Sequence, residues 1–358
     1  MAEGQGPVPP GDHLLHPADL IGVLIVGGGL AGGLLALALR ERGVDVSLIA
    51  GQQSSATEWS YGVIPGWPLG TSELAIRSAK APGLWRDLQR RYGDLGWSSA
   101  RIHLHGGKPW ARLLPLPGSQ VDTGRFHSRL PELLQQAGVR YVSAEVLSLE
   151  RQQGEWLVRC SDDSAHCSPQ LVLAAGAGSR ILWPAWPEAL RSSWAGVLEL
   201  PEAPVHGLRL PAQFQRPALE RSSAELQAPR TVVDAGLVPR GAGALLGQIS
   251  SFAPGLSLQA PPPALEQELR QAIAASGLPK GLAEAPGRWH QVPVAFSRTG
   301  SPLAGPLADA PGLFGFSGFS GGFAQVPLLA PLLAEVLAAG SATAQGQLER
   351  LQVWQHSR

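Results

Sequence analysis

Residues 23–51, VLIVGGGLAGGLLALALRERGVDVSLIAG, limit the fold more than any other stretch of this chain. The apolar run over residues 21–26 stops at a glycine, as a central parallel strand covered on both faces does. Good helix formers then fill residues 30–42, Gly43 supplies a C-terminal stop, and residues 44–49 make the next strand. Gly27, Gly29 and Gly32 satisfy G-x-G-x-x-G between that strand and that helix, the context in which the pattern carries information. The first glycine permits the tight turn, the second lets backbone approach a pyrophosphate, and the third lets the helix lie close on the sheet. Ala36, Leu39, Gly43 and Val46 fall at the inward offsets of the same unit. The expectation is a βαβ unit that presents a helix N-terminus to a nucleotide phosphate.

Such a unit ordinarily ends its second strand in an acid, whose carboxylate accepts hydrogen bonds from the ribose hydroxyls. Here that position is Ala50, followed by Gly51. Gln52, Gln53 or Ser54 can reach the same hydroxyls with neutral bonds, so the ribose contact is the weakest point of the cofactor reading. No arginine follows Ala50 to read a 2′-phosphate, which argues against NADP.

A chain of 358 residues has room for about two domains and a large core. Lys+Arg and Asp+Glu balance at 28 each with no basic run, so the expected partner is a small molecule and neither nucleic acid nor anionic lipid. Cys160 and Cys167 suit a reducing cytoplasm, and no cluster of metal ligands is visible. The first 22 residues lack the pattern of a secretory signal and read as a loose tail. The apolar stretch over residues 23–39 is interrupted by glycines and shorter than the ~20 residues a membrane-spanning helix needs.

Further on, a helix closes at Gly138, a strand covers residues 140–149, and a hairpin turns at 152–154 into EWLVRC. An apolar strand at 171–174 enters a second small-residue turn, AAGAGS. Residues 231–250 read as two strands about a turn at 240–243, and PPPALEQELRQAIAASGLPKG as a helix. The segment GLFGFSGFSGGFAQVPLLAPLLAEVLAAG is again strand, glycine turn and helix. Three such turns, each between a strand and a helix, suit a long cofactor that backbone N–H groups must touch without a Cβ in the way. A free nicotinamide cofactor needs only the first of them.

Five segments taken in order resemble the FAD-dependent oxidoreductases of the D-amino-acid oxidase and glycine oxidase type. They are VLIVGGGLAGG, SSATEWSYGVIPG, VDTGRFHSRLPELLQQAGVRYVSAEVLSLE, LVLAAGAGS and RTGSPLAGPLADAPGLFGFSGFSGGFAQVPLLAP. The resemblance implies an α/β fold: a Rossmann-like FAD-binding domain with a parallel central sheet, and a second, mainly antiparallel-sheet substrate domain. It implies a tail at 1–18, an FAD-binding domain from 19–85, 121–185 and 296–345, and a substrate domain from 86–120 and 186–295. It assigns FAD contacts to Gly27, Gly28, Gly29, Leu30, Ala31 and Gly32 at the pyrophosphate, with Ala175 and Gly176 nearby. Ser55, Ala56, Trp59, Ser60, Tyr61 and Gly62 form the loop around the flavin, and the Val146 peptide meets the adenine. Gly318, Ser320, Gly321, Gly322 and Phe323 close over the flavin, where amides and a helix N-terminus would face its pyrimidine end.

The implied activity is removal of a hydride from the carbon next to an amine of a small amino acid or amine. Oxidation of a different C–N or C–OH substrate, or a non-catalytic use of the fold, remain the alternatives. The electron acceptor, oxygen or a quinone, stays open. Relatives clamp the substrate carboxylate with an arginine shortly before P-x-x-G-P, here residues 302–306; that position falls near Val294, so either Arg298 or Arg240 takes the role or the substrate is not a simple amino acid. Tyr61 and His290 are further candidates for the active site. His103 and His105 alternate on one strand face without a third ligand and read as solvated, while Trp59, Trp67 and Trp97 could line a pocket or pack.

Overall fold

The computed structural model describes residues 22–106, 115–203, 205–256, 258–260, 262–263 and 265–354. The tail expected at 1–18, the strand residue Ile21 and part of the segment at 86–120 lie outside them. β1 (Val23–Val26), α1 (Leu30–Arg40) and β2 (Val46–Ala50) form the βαβ unit read from the sequence. After β3 (Val63–Pro65) come α2 (Glu73–Ser78), α3 (Ala81–Tyr92), β4 (Trp97–His105) and β5 (Leu116–Val121). α4 (Thr123–Gln136) and β6 (Arg140–Ser143) return the chain to the side of β2, and a meander of β7 (Val146–Gln152), β8 (Glu155–Cys160) and β9 (Ala165–Ser168) follows. β10 (Leu171–Leu173) and the short α5 (Ser179–Leu182) lead to β11 (Leu190–Leu200), β12 (Leu208–Pro211) and α6 (Arg216–Ser222). β13 (Arg230–Arg240), β14 (Gly243–Phe252), α7 (Leu265–Ala275) and β15 (Arg288–Ser297) come next. The last elements are β16 (Leu303–Pro306), β17 (Leu313–Ser317), α8 (Gly322–Ala339) and α9 (Ala342–Arg350).

One sheet has the order β16-β17-β10-β1-β2-β6 and is parallel apart from β16. Its central strands alternate between two cores, which is why β1 reads as wholly apolar. Val23 and Ile25 face α1, α4 and α8, while Leu24 and Val26 face Trp156, Val158 and Cys160 of the meander. The second sheet, β15-β11-β14-β13-β12-β4-β5-β3, is antiparallel except where β12 runs beside β4. α7 covers one face of it through Leu265, Leu269 and Ile273. The α/β architecture, a parallel sheet beside a mainly antiparallel one, is the one the sequence predicts; the meander β7-β8-β9 makes a third, three-stranded sheet.

The strand expected over 140–149 is two strands in two sheets. Ser143 pairs with Ala50, the Ala144 amide donates to the Ala50 carbonyl, and from Val146 onward the chain pairs with β8 instead. β6 ends because its partner β2 ends; no glycine or proline marks the change. Cys160 and Cys167 are both free thiols on β8 and β9, and Cys167 lies opposite Leu157.

α8 is long and apolar enough by composition to cross a membrane, but Phe323, Val326, Leu329, Ala330 and Leu333 are buried in the main core. It holds Pro327, which has no N–H to give the carbonyl four residues back, at Phe323. Trp85 Nε1 donates to that carbonyl at 2.6 Å, and the indole stacks on the Phe323 ring.

Candidate active site

Gly27 has φ +116° and donates its amide to Ile49 O at 2.8 Å; a Cβ there would run into the Ala174 carbonyl. A Cβ on Gly32 would overlap Gly27 O, so the first helical turn can lie on the strand end only with glycine at that position. Among the described residues, the amides of Gly28, Gly29, Ala31 and Gly32 donate to no protein acceptor. These donors and the positive end of α1 make a cradle for an anion. The Leu30 amide, by contrast, donates to Thr57 Oγ1 at 3.0 Å, a partner the sequence did not reveal.

β10 and β17 continue the parallel sheet beside β1, so the turns after all three strands open at one sheet edge. They touch: the Ala174 carbonyl packs on Gly27, and Gly322 sits against Leu30. The chain leaves β1 for β2 on one side and fills β10 on the other, the switch point where open α/β sheets bind ligands. At Gly176 a Cβ would meet open space, and at Gly321 only the end of Gln325 comes near. Ser179 Oγ, just beyond the second turn, is buried and has no partner among the described residues. The donors, the open glycine faces and this orphan hydroxyl fit a long, phosphate-bearing cofactor such as FAD. Phe323 points its ring at Trp85 and so could offer such a cofactor only its backbone.

Where an acid was expected, Ala50 is buried and packs on Gly28. The polar groups come from the next strand: Gln52 Nε2 donates to Ser143 Oγ at 3.3 Å, and Gln53 Nε2 to Glu145 Oε1 at 3.1 Å. Glu145 immediately precedes the half-buried Val146, so a carboxylate stands at this corner after all, carried from the β6–β7 link. The sequence hid it because the acid was sought on β2 itself.

The 55–62 loop is tied down by Thr123 Oγ1, which donates to Glu58 O at 2.7 Å and can also reach Ser60 O at 3.0 Å. Ser55 Oγ and Ser60 Oγ accept from the amides of Glu58 and Gly62, so both hydroxyls shape the loop itself, while Ala56 is half-buried. Trp59 stacks on His290 with ring centroids 3.4 Å apart, and the Arg240 guanidinium lies 4.3 Å from the Trp59 ring. His290 Nε2 is 3.1 Å from Glu199 Oε2. Tyr61 OH donates to Gly236 O at 3.4 Å; burial, with help from the Asp234 charge, pushes its pKa well up, so the phenol stays protonated. A cavity of about 560 Å³ opens beside Arg240, lined by Asp122, Gly124, Arg125, Glu199 and Gly241.

Tyr61 and His290 therefore lie over one face of the eight-stranded sheet, Tyr61 bonded to β13 and His290 on β15, and Arg298 does not join them. Arg298 lies eight residue steps beyond His290, just past the end of β15, about 27 Å along extended chain. Arg298 is exposed, and its charge falls on Arg191. Val294 is on the His290 face with no charge to offer, and Arg240 is occupied by Glu58 O at 2.6 Å and Thr123 Oγ1 at 3.0 Å. His105 also departs from expectation: its ring nitrogens lie 2.7 Å from Ala235 O and 3.2 Å from Ser276 O, so it is a bridging group and not a solvated one. Trp67 packs beside Trp59 and Tyr61 on Ile102 and Val197, and Trp97 on the main core. Among the described residues no group of three potential metal ligands occurs.

Burial holds the His290 imidazole below the ordinary histidine range, against the opposing pull of Glu199. The unfolded chain thus takes up this proton first, and folding stability is lost as pH falls below about 6.5. His290→Gln should lose less thermal stability than the parent between about pH 7.5 and about pH 5.5. Parallel melting curves for the two proteins over that range would contradict the assignment.

One polar group escaped the sequence entirely. Glu220 is 4% exposed and bonds both Arg216 of its own helix and Ser320 of the third glycine turn.

The FAD dependent oxidoreductase family model matches residues 100–336, and an FAD binding domain model matches residues 22–95. No curated protein matches the chain in sequence. Among solved structures, glycine oxidase from Geobacillus kaustophilus superposes with a TM-score of 0.68 at 17% identity, over 90% of this chain and 95% of that one. L-proline dehydrogenase from P. horikoshii gives 0.67 at 14% identity, over 90% and 94%. Iminodiacetate oxidase from Chelativorans sp. BNC1 gives 0.66 at 17%, over 88% and 95%. At such identities the superpositions speak for the fold.

Proposed function

The chain belongs to the FAD dependent oxidoreductase family, and from that premise we propose that it takes a hydride from the carbon next to an amine of a small amino acid or amine. The observation that carries this reading is the meeting of three glycine turns at one sheet edge, with the amides at the head of α1 unspent. Gly27, Gly28, Gly29, Ala31, Gly32, Ala175 and Gly176 would hold the pyrophosphate, and the Val146 peptide the adenine. Bound FAD supplies the hydride acceptor, its isoalloxazine ring. The chain's own part is orientation: the 55–62 loop and the sheet face of Tyr61 and His290 bound the substrate space. The 318–322 turn and the head of α8 bring positive potential where charge builds. Purified protein should be yellow or become so with FAD, and an amine substrate should bleach it without oxygen. Protein that stays colourless with FAD present refutes the proposal.

A second reading keeps the flavin and changes the substrate, to another C–N or C–OH donor. It is favoured by one observation, that neither Arg298 nor Arg240 offers a free guanidinium beside Val294. Anaerobic bleaching by amino acids, N-methyl amines and hydroxy acids in turn separates the two. The two free thiols support cytoplasmic residence as part of this proposal.

Glu145 would take over the ribose contact that Ala50 lacks. Since charge-assisted bonds contribute roughly 1.5–3 kcal/mol, Glu145→Gln should weaken FAD binding about tenfold. FMN has no adenosine, so its affinity should stay the same. Equal effects on FAD and FMN, read by flavin fluorescence, would remove Glu145 from the site.

A further inference from the structure

Glu220 Oε1 accepts from Arg216 Nε at 2.8 Å, four residues back on α6, and Oε2 accepts from Ser320 Oγ at 2.8 Å, across on the turn between β17 and α8. Arg216 is itself anchored. The Asp234 carboxylate receives the amides of Gln215 and Arg216 at 2.6 and 3.0 Å, and Arg216 Nη1 reaches Ser250 Oγ at 3.4 Å. A continuous path of polar contacts thus runs from the eight-stranded sheet, through α6, to the third glycine turn.

A buried ion pair is seldom a net source of stability, because both ions give up their hydration; well-packed apolar residues serve the core as well or better. What Arg216 and Glu220 supply is a charged acceptor, fixed in place and aimed at one hydroxyl. Ser320 carries the only polar side chain in the 318–322 turn, whose other members are Gly318, Phe319, Gly321 and Gly322. Three glycines in five residues leave that backbone many conformations to lose. From the other side the turn's helix is held at Phe323 O by Trp85.

We propose that Glu220 is a positioning residue that sets the shape of the 318–322 turn through Ser320, so that its amides are aimed before FAD arrives. What the turn binds rests on the flavoprotein reading; the latch is a property of the chain alone.

The test uses the full chain without FAD. The amides of Ala324 and Gln325 donate to Gly321 O at 2.9 and 3.0 Å, so their hydrogen exchange reports whether the turn holds. Ser320→Ala and Glu220→Gln should each speed that exchange about tenfold, the double variant no further, and Ser320→Thr, which keeps the hydroxyl, should match the parent. FAD affinity should fall in the same order, and the visible circular dichroism of bound FAD should change in Ser320→Ala but not in Ser320→Thr. Unchanged exchange in Ser320→Ala, or effects that multiply in the double variant, overturns the proposal. If Glu220→Gln does not fold, the two Ser320 variants decide alone. A parent protein with a protected turn that takes up no FAD supports the latch while refuting the flavoprotein reading.

Discussion

Gly32→Ala is expected to cost the protein about 3 kcal/mol and its cofactor together. In an ordinary helix interior this exchange gains about 1 kcal/mol. Here the added Cβ would overlap Gly27 O, and a backbone carbonyl cannot swing aside as a side-chain end can. Relief requires α1 to lift from β1, which pulls the unspent amides of Gly29 and Ala31 off their line. Losing two charge-assisted bonds to phosphate weakens binding roughly hundredfold. Melting temperature and flavin fluorescence on one preparation measure both effects; a variant more stable than the parent would show that the turn is not the close-packed one described.

Trp85→Ala should destabilise by about 3–5 kcal/mol, the range for emptying a fully buried aromatic site. The ring is fully buried against Phe126 and Phe323, and its N–H has one task. That task exists because Pro327 leaves Phe323 O without its helical donor. Trp85→Phe isolates it: the ring is largely kept, a buried carbonyl is left bare, and the cost should be about 1–3 kcal/mol. Pro327→Ala returns an amide to the same carbonyl, so in that background Trp85→Phe should cost less by about 1 kcal/mol. Additive losses in denaturant titrations of the four proteins would mean that indole and proline are unrelated.

What could be read beforehand followed from local chemistry. The strand, glycine turn and helix at 23–40 declare themselves because only glycine meets the steric demands at Gly27 and Gly32, and both later turns repeat the signal. What could not be read was settled by partners far along the chain. Glu145 reaches the corner at the end of β2, where Gln53 bonds it, because β6 stops where β2 stops. Arg216 and Glu220 look in sequence like any surface i,i+4 pair on a helix; Glu220 is buried and Arg216 half-buried where α6 lies against the third turn. Arg298 misled for the opposite reason: nearness to residues 302–306 in sequence says nothing about an extended strand that carries it about 27 Å from His290.

The three turns that meet at one edge come from residues near 27, 176 and 320, so the binding groove is stitched from the beginning, middle and far end of the polypeptide. During synthesis the three turns cannot come together until α8 has cleared the ribosome. Until then the lone βαβ unit must keep an apolar sheet edge covered without its final neighbours.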